Sequence, residues 1–86
     1  MEILKVSSKS NPSSVAGALT NILKKDQEVE VQSIGAGALN QTVKAIIISR
    51  GYLTPMGKDI KCIPSFNDVV VNNLERTAIK FNITLI

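Results

Sequence analysis

The sequence has no histidine and no tryptophan, a single cysteine, one tyrosine and two phenylalanines. Without histidine it lacks the usual acid–base group at neutral pH and the commonest metal-binding side chain. The lone thiol, Cys62, has no partner for an internal disulfide, which suits a reducing compartment. Placed between Ile60 and Pro64, it is expected to pack in the core and not to act as a nucleophile. No Cys or His cluster is available to hold zinc, and the acids are scattered, with Glu28 and Glu30 expected to be solvated on one strand face. The prediction is a protein that is not an enzyme and carries no metal or cofactor. With Tyr52, Phe66 and Phe81 the only aromatics, the core must be aliphatic, and stacking platforms for unpaired bases are few.

Long apolar runs are also missing. The longest, residues 45–48, is far too short to span a bilayer, so no membrane partner is expected. The opening "MEILKVSSKS" has an acid in second place and no apolar stretch of the kind a signal peptide needs. Together with the free cysteine, these features predict a soluble, cytoplasmic protein.

The chain's 86 residues, 44% hydrophobic and 20% charged, describe one globular domain, 1–86. A chain of this size buries only about 60% of its surface, so association with a second copy would help it. The net charge of +3 leans toward polyanions.

Residues 2–6, "EILKV", predict a strand, followed by the serine-rich loop "SSKSNPSS". Asn11 and Pro12 make a helix start: one caps, the other lacks an amide that would be unpaired anyway. Val15, Leu19, Ile22 and Leu23 lie on one helical stripe, ending at Lys24, Lys25 and Asp26. Residues 28–34, "EVEVQSI", alternate as a half-buried strand does, and Gly35-Ala36-Gly37-Ala38 forms a turn. A second helix is predicted from Ala38 to about Arg50, with Leu39, Val43, Ile46 and Ile47 as its apolar stripe and Gly51 as its stop. Ala38, Ala45 and Ile48 add a second apolar side, so this helix needs two partners: its own sheet and a second subunit.

"YLTPMG" reads as a loop and "KDIKCIPSF" as a strand whose Pro64 fits an edge or an end. "NDVVVNN" is open between a continued strand and a bulge in a hairpin. Residues 76–86 alternate cleanly, with Thr77, Ile79, Phe81, Ile83 and Leu85 toward the core and Arg76, Ala78, Lys80, Asn82 and Thr84 away from it. The expected fold is α/β (α+β): a two-layer sandwich of order β-α-β-α-β-β, with two helices on one face of a four-stranded mixed sheet.

The glycine turn fails as a dinucleotide fingerprint, because Asn40 stands where the third glycine belongs, and Gly57-Lys58-Asp59 does not make a P-loop. Two readings remain. Gly35 and Gly37 either permit only a sharp turn, or they let an anion approach free amides at a helix start, helped by Asn40 and Gln41. Lys9 in the loop before the first helix and the glycine turn are expected on one rim, at the carboxyl ends of parallel strands. Lys44, Arg76 and Lys80 are further cationic candidates.

"LKVSSKSNPSSVAGAL", "IGAGALNQTVKAI", "ISRGYL" and "ERTAIKF" together resemble the stage V sporulation protein S family nearly end to end. That family in turn looks like a relative of the Alba superfamily of small chromatin- and RNA-binding proteins. The resemblance implies an Alba-like fold, a homodimer or higher homo-oligomer, and nucleic-acid binding (DNA or RNA) in the regulation of sporulation and spore-coat assembly. Taken with the reading of the residues above, it gives a candidate binding site of Lys9, Gly35, Ala36, Gly37, Asn40, Lys44 and Arg76. Alba proteins carry an arginine in the glycine turn, absent here, and a long basic hairpin that corresponds to residues 66–75, where Asp68 and Glu75 stand. Weak, salt-sensitive binding is the expectation. The alternatives are a protein-interaction scaffold whose glycine turn is purely architectural, and a sensor of a small anion or nucleotide.

Overall fold

The computed structural model describes all of residues 1–86. Its elements run β1 (Glu2–Val6), α1 (Pro12–Asp26), β2 (Glu28–Ser33), α2 (Ala36–Leu53), a short 3-10 turn (Thr54–Met56), β3 (Ile60–Val71) and β4 (Leu74–Leu85). The sheet order is β1-β2-β4-β3, with β1 and β2 parallel and the other pairs antiparallel. This is the expected four-stranded mixed sheet with two helices, in the expected order.

The alternation of β2 decides which face is which. Val29, Val31 and Ser33 are buried, in register with Ile83, Phe81 and Ile79 of β4, while Glu28, Glu30 and Gln32 share the opposite, open face. The core beneath the helices is aliphatic: Val6, Val29, Val31 and Ile83 from the sheet meet Leu19, Ile22, Leu23 and Leu53 from the helices. Phe81 packs only at its edge.

Helix α1 begins as its sequence dictates. The Ser13 and Ser14 N–H groups donate to Asn11 Oδ1 at 2.9 and 3.2 Å, and Pro12 occupies the first turn. Helix α2 departs from expectation in two ways. Its inward face is not the stripe of large residues but the small series Ala38, Thr42, Ala45 and Ser49, completed by Leu53. Small side chains bring α1 and α2 close, close enough for Thr20 Oγ1 and Ser49 Oγ to hydrogen bond at 2.7 Å in the interior. Val43 and Ile47 of the large stripe are consequently exposed. The helix also runs through Gly51 to Leu53, so "YLTPMG" is not a plain loop. The buried Leu53 draws the last turn into the core, which outweighs the roughly 1 kcal/mol penalty of a glycine inside a helix.

The hairpin takes one of the two readings open at residues 67–73. β3 and β4 pair without interruption from Ile60–Leu85 to Val71–Leu74, so "NDVVVNN" continues the strand. Asn72 and Asn73, with φ of 52° and 63°, form the two-residue turn with left-handed conformation at both centres that suits a twisted hairpin. β2 stops at Ser33, opposite Ile79. Beyond it the hairpin projects as a two-stranded arm, and the molecule extends 43 Å along its longest axis against 22 and 17 Å across. Thr77 is exposed because it lies on this arm. Ala78, expected to face away, is fully buried. It sits at the root of the arm, paired with Asn67 of β3 and one residue before the end of the β2 pairing.

Candidate functional site

The loop after β1 is a small knot of serines. Ser7 N–H donates to Ser10 Oγ at 2.9 Å, Ser10 N–H to Ser7 O at 3.1 Å, and Lys9 N–H to Ser7 Oγ at 3.2 Å. The exposed Lys9 side chain is carried at the tip of this ordered turn.

Across from it, α2 starts at Gly35, whose φ of 89° and ψ of 160° belong to a region open essentially to glycine alone. The first intrahelical bond of α2 runs from Leu39 N–H to Gly35 O at 3.0 Å, and no side chain caps the helix. The amides of Ala36, Gly37 and Ala38 therefore have no acceptor within the helix, and the positive end of its dipole is uncompensated, since the first turn has no acid. Ala36 and Gly37 are exposed.

Two contacts join loop and turn. A Cβ on Gly37 would come within 2.9 Å of Ser8 Cβ, and Gln41 Nε2 donates to Ser10 O at 2.9 Å. Lys9 and the glycine turn thus share one rim at the carboxyl ends of the parallel strands β1 and β2. Asn40 and Lys44 follow, exposed and one helical turn apart, and Lys44 lines a shallow groove with Asn11, Ser13 and Ile47. Residues 3–25 and 31–58 contain no Asp or Glu, and the only acids of β1 and α1, Glu2 and Asp26, stand at the ends of those elements away from the rim, so no carboxylate from α2 or from the loops that form the rim opposes an anion here.

Arg76 lies apart from this group, on the projecting arm opposite Val69. The register puts Asp68 and Glu75 on the other face of the arm from Arg76, so the two acids do not share its surface. Between arm and rim lies a cavity of about 350 Å³, walled by Lys5, Ser7, Ser8, Gln32, Ile34 and residues 69–71. Gln41, expected as a donor to an anion, commits its amide to Ser10 O, and sequence reasoning missed Lys5 and Gln32. The alternation of β1, with Lys5 between inward Leu4 and Val6, was the available signal for the first of them.

Lys80 has a different role. Its Nζ stands 3.9 Å from Glu30 Oε1, and Gln32 Nε2 donates to Glu30 Oε2 at 2.8 Å. Glu30 is therefore half-buried and paired, not freely solvated as expected. Cys62 is half-buried against the core, and burial, with a smaller contribution from the Asp59 carboxylate, pushes its thiol pKa up. A raised pKa disfavours the thiolate a nucleophile needs. No three His, Cys, Asp or Glu side chains come together, and no helix is long and apolar enough to cross a membrane.

The sequence model of the stage V sporulation protein S family matches residues 2–86. The chain belongs to that family. The solved structure of Alba from Thermoplasma volcanium superposes with a TM-score of 0.63 at 14% sequence identity, over 96% of each chain. At that identity the likeness establishes the fold: this stage V sporulation protein S family member is Alba-like, with the serine loop, the glycine turn and the arm mounted on that frame.

Proposed function

We propose that this sporulation-family protein is a non-enzymatic, homodimeric, cytoplasmic nucleic-acid binder with a regulatory role. The observation that carries this reading is the rim itself, where Lys9, the free amides of Ala36 and Gly37, Asn40 and Lys44 lie on segments that contribute no acid. Phosphate oxygens suit such a surface, being bound by lysine, by amide side chains and by main-chain N–H groups at helix starts. Arg76 on the arm adds a cation at a second point along a bound strand. The exposed Val43 and Ile47 of α2 offer a second subunit an apolar face, and dimerisation would double the cations presented to one polyanion.

Titration of single-stranded RNA, duplex DNA and heparin at increasing salt tests this reading. Neutralisation of about four phosphates per dimer predicts a log–log salt slope of about −3 on single strands. Lys9→Ala should weaken binding to every nucleic acid and flatten that slope. Full affinity in the variant, or binding indifferent to salt, would refute the assignment.

A scaffold role is the second reading, favoured by the apolar surface of the arm, where Phe66 is 78% exposed. In that case the protein would capture a protein partner and leave nucleic acid unbound.

A further inference from the structure

We infer that the cavity between the arm and the rim takes one unpaired nucleobase, so that the protein prefers single-stranded nucleic acid over duplex. This rests on the nucleic-acid reading of the rim and names the form of ligand. At about 350 Å³ the cavity is at the small end of ligand sites, suited to one nucleotide unit and too small for a base pair.

Its walls are divided by chemistry. Ile34 and the arm residues Val69 and Val71 supply apolar surface on which the flat face of a base can rest. Lys5 supplies a cation that is in no ion pair, and Ser7 and Ser8 complete the polar part of the wall. Gln32 commits its Nε2 to Glu30, which leaves its carbonyl oxygen to accept from an exocyclic amino group. No carboxylate lines the space.

The position supports the occupant. Ser8 is both a wall of the cavity and the residue pressed against Gly37, so a strand laid over Lys9 and the glycine turn passes directly to the cavity mouth. A base can enter only when it is free of its complement; a duplex keeps its bases stacked and offers only phosphates. The arm lines one side of this half-open cavity with aliphatic side chains, so recognition of the base depends on apolar contact and on Gln32 and not on ring stacking.

A short oligonucleotide carrying one 2-aminopurine, free or annealed to its complement, tests the inference on the intact protein. The single strand should bind more tightly, and its 2-aminopurine should become shielded from acrylamide. Val71→Ser, which strips apolar surface from the cavity without changing charge or adding a ring, should cost several-fold on the single strand and leave the duplex unaffected. Lys9→Ala should weaken both. A 2-aminopurine that stays accessible, equal affinity for both forms, or an unchanged single-strand affinity in Val71→Ser would overturn the base site; Lys9-dependent binding would then leave the rim proposal standing. Binding to neither form would overturn both. Should Val71→Ser fail to fold, NMR titration of the wild-type protein with cytidine monophosphate decides. Shifts at the Gln32 side-chain amide and the Val69 and Val71 methyls support the site, and shifts confined to the Gly35–Gly37 amides refute it.

Discussion

Ser8 and Gly37 approach so closely that a Cβ on residue 37 would stand 2.9 Å from the Ser8 Cβ. The contact holds the Lys9 loop against the start of α2 and leaves no room for a methyl group. Gly37→Ala gains helix propensity, up to about 1 kcal/mol in a helix interior and less in a first turn. It loses more by crowding, which typically costs about 1–3 kcal/mol. The expected outcome is a net loss of about 1 kcal/mol, a drop in melting temperature of about 4–8 °C for a domain this small. Ser8→Gly in the same chain should restore most of it. A double-mutant cycle by thermal unfolding measures that coupling, and additive losses would show that the two residues are not in contact.

Gly35 answers to backbone geometry and not to space, for nothing lies within 4 Å of a Cβ built there. Its φ of 89° with ψ of 160° is strained for any residue with a side chain. Gly35→Ala should destabilise by about 1–3 kcal/mol, or re-aim the amides of the turn to relieve the strain. Denaturant titration together with nucleic-acid binding separates these outcomes. Unchanged stability and unchanged binding would mean that the turn adopts another conformation in solution.

Local rules were legible in the sequence where the cause is local. Asn11 and Pro12 specify a helix start by their own chemistry, and the alternation of residues 28–33 marks the inward face of β2 correctly. The inward face of α2 was not legible, because Leu39, Val43, Ile46 and Ile47 outweigh Ala38, Thr42, Ala45 and Ser49 in hydrophobicity while close packing against α1 selects for small size. Gly51 misled for a similar reason: burial of Leu53, a tertiary effect, carries the helix past it. The strand through Val69–Val71 depends on pairing with residues 74–76, although the two consecutive asparagines were a readable hairpin signal. Convergence of Lys9 with the glycine turn followed from the parallel β1–β2 topology. The cavity did not, since it depends on where the tip of the arm lies relative to the loop after β1.

Thr42 is wholly buried in α2, and its Oγ1 has no hydrogen-bond partner. An unsatisfied buried hydroxyl carries a desolvation penalty of about 1–3 kcal/mol. Thr42→Val keeps the shape and removes the polar atom, so it should raise stability by about 1 kcal/mol, with no effect on nucleic-acid binding. Chemical denaturation measures the first and anisotropy the second. A loss of stability would reveal a partner for the hydroxyl.

Arg50 and Asp59 join the last turns of α2 to the beginning of β3, with Nε to Oδ1 at 2.8 Å and Nη2 to Oδ2 at 3.1 Å. The hydrogen bonds from Arg50, supported by the Ile60 amide, hold the Asp59 pKa below its ordinary value, whereas burial opposes the shift. A carboxylate with a lowered folded pKa contributes stability that is fully present above its unfolded pKa and disappears as pH falls through the folded one. Asp59→Asn should therefore be less stable than wild type at neutral pH, and the two should converge in acid below the carboxylate range. Both groups are well exposed, so the difference should shrink in high salt. Melting curves across pH check the sign, and a gap that widens in acid would contradict it.

Lys9 and Lys80 are both lysines near the proposed path of a nucleic acid, yet they differ in what already holds them. Lys80 is half-buried on β4 with Glu30 3.9 Å away, so a phosphate approaching it must compete with a carboxylate and meets little net charge. Lys9 projects from a loop with no acid in residues 3–25. A free cation releases a counterion for each phosphate it neutralises, and a paired one contributes little. Lys9→Ala should accordingly weaken binding at low salt several-fold and reduce the salt slope by close to one unit per ligand contact. Lys80→Ala should change affinity little and leave the slope intact, while freeing Glu30 to repel the strand from the open face. Parallel salt titrations of the two variants measure this contrast, and equal losses would place the bound strand along the centre of the sheet.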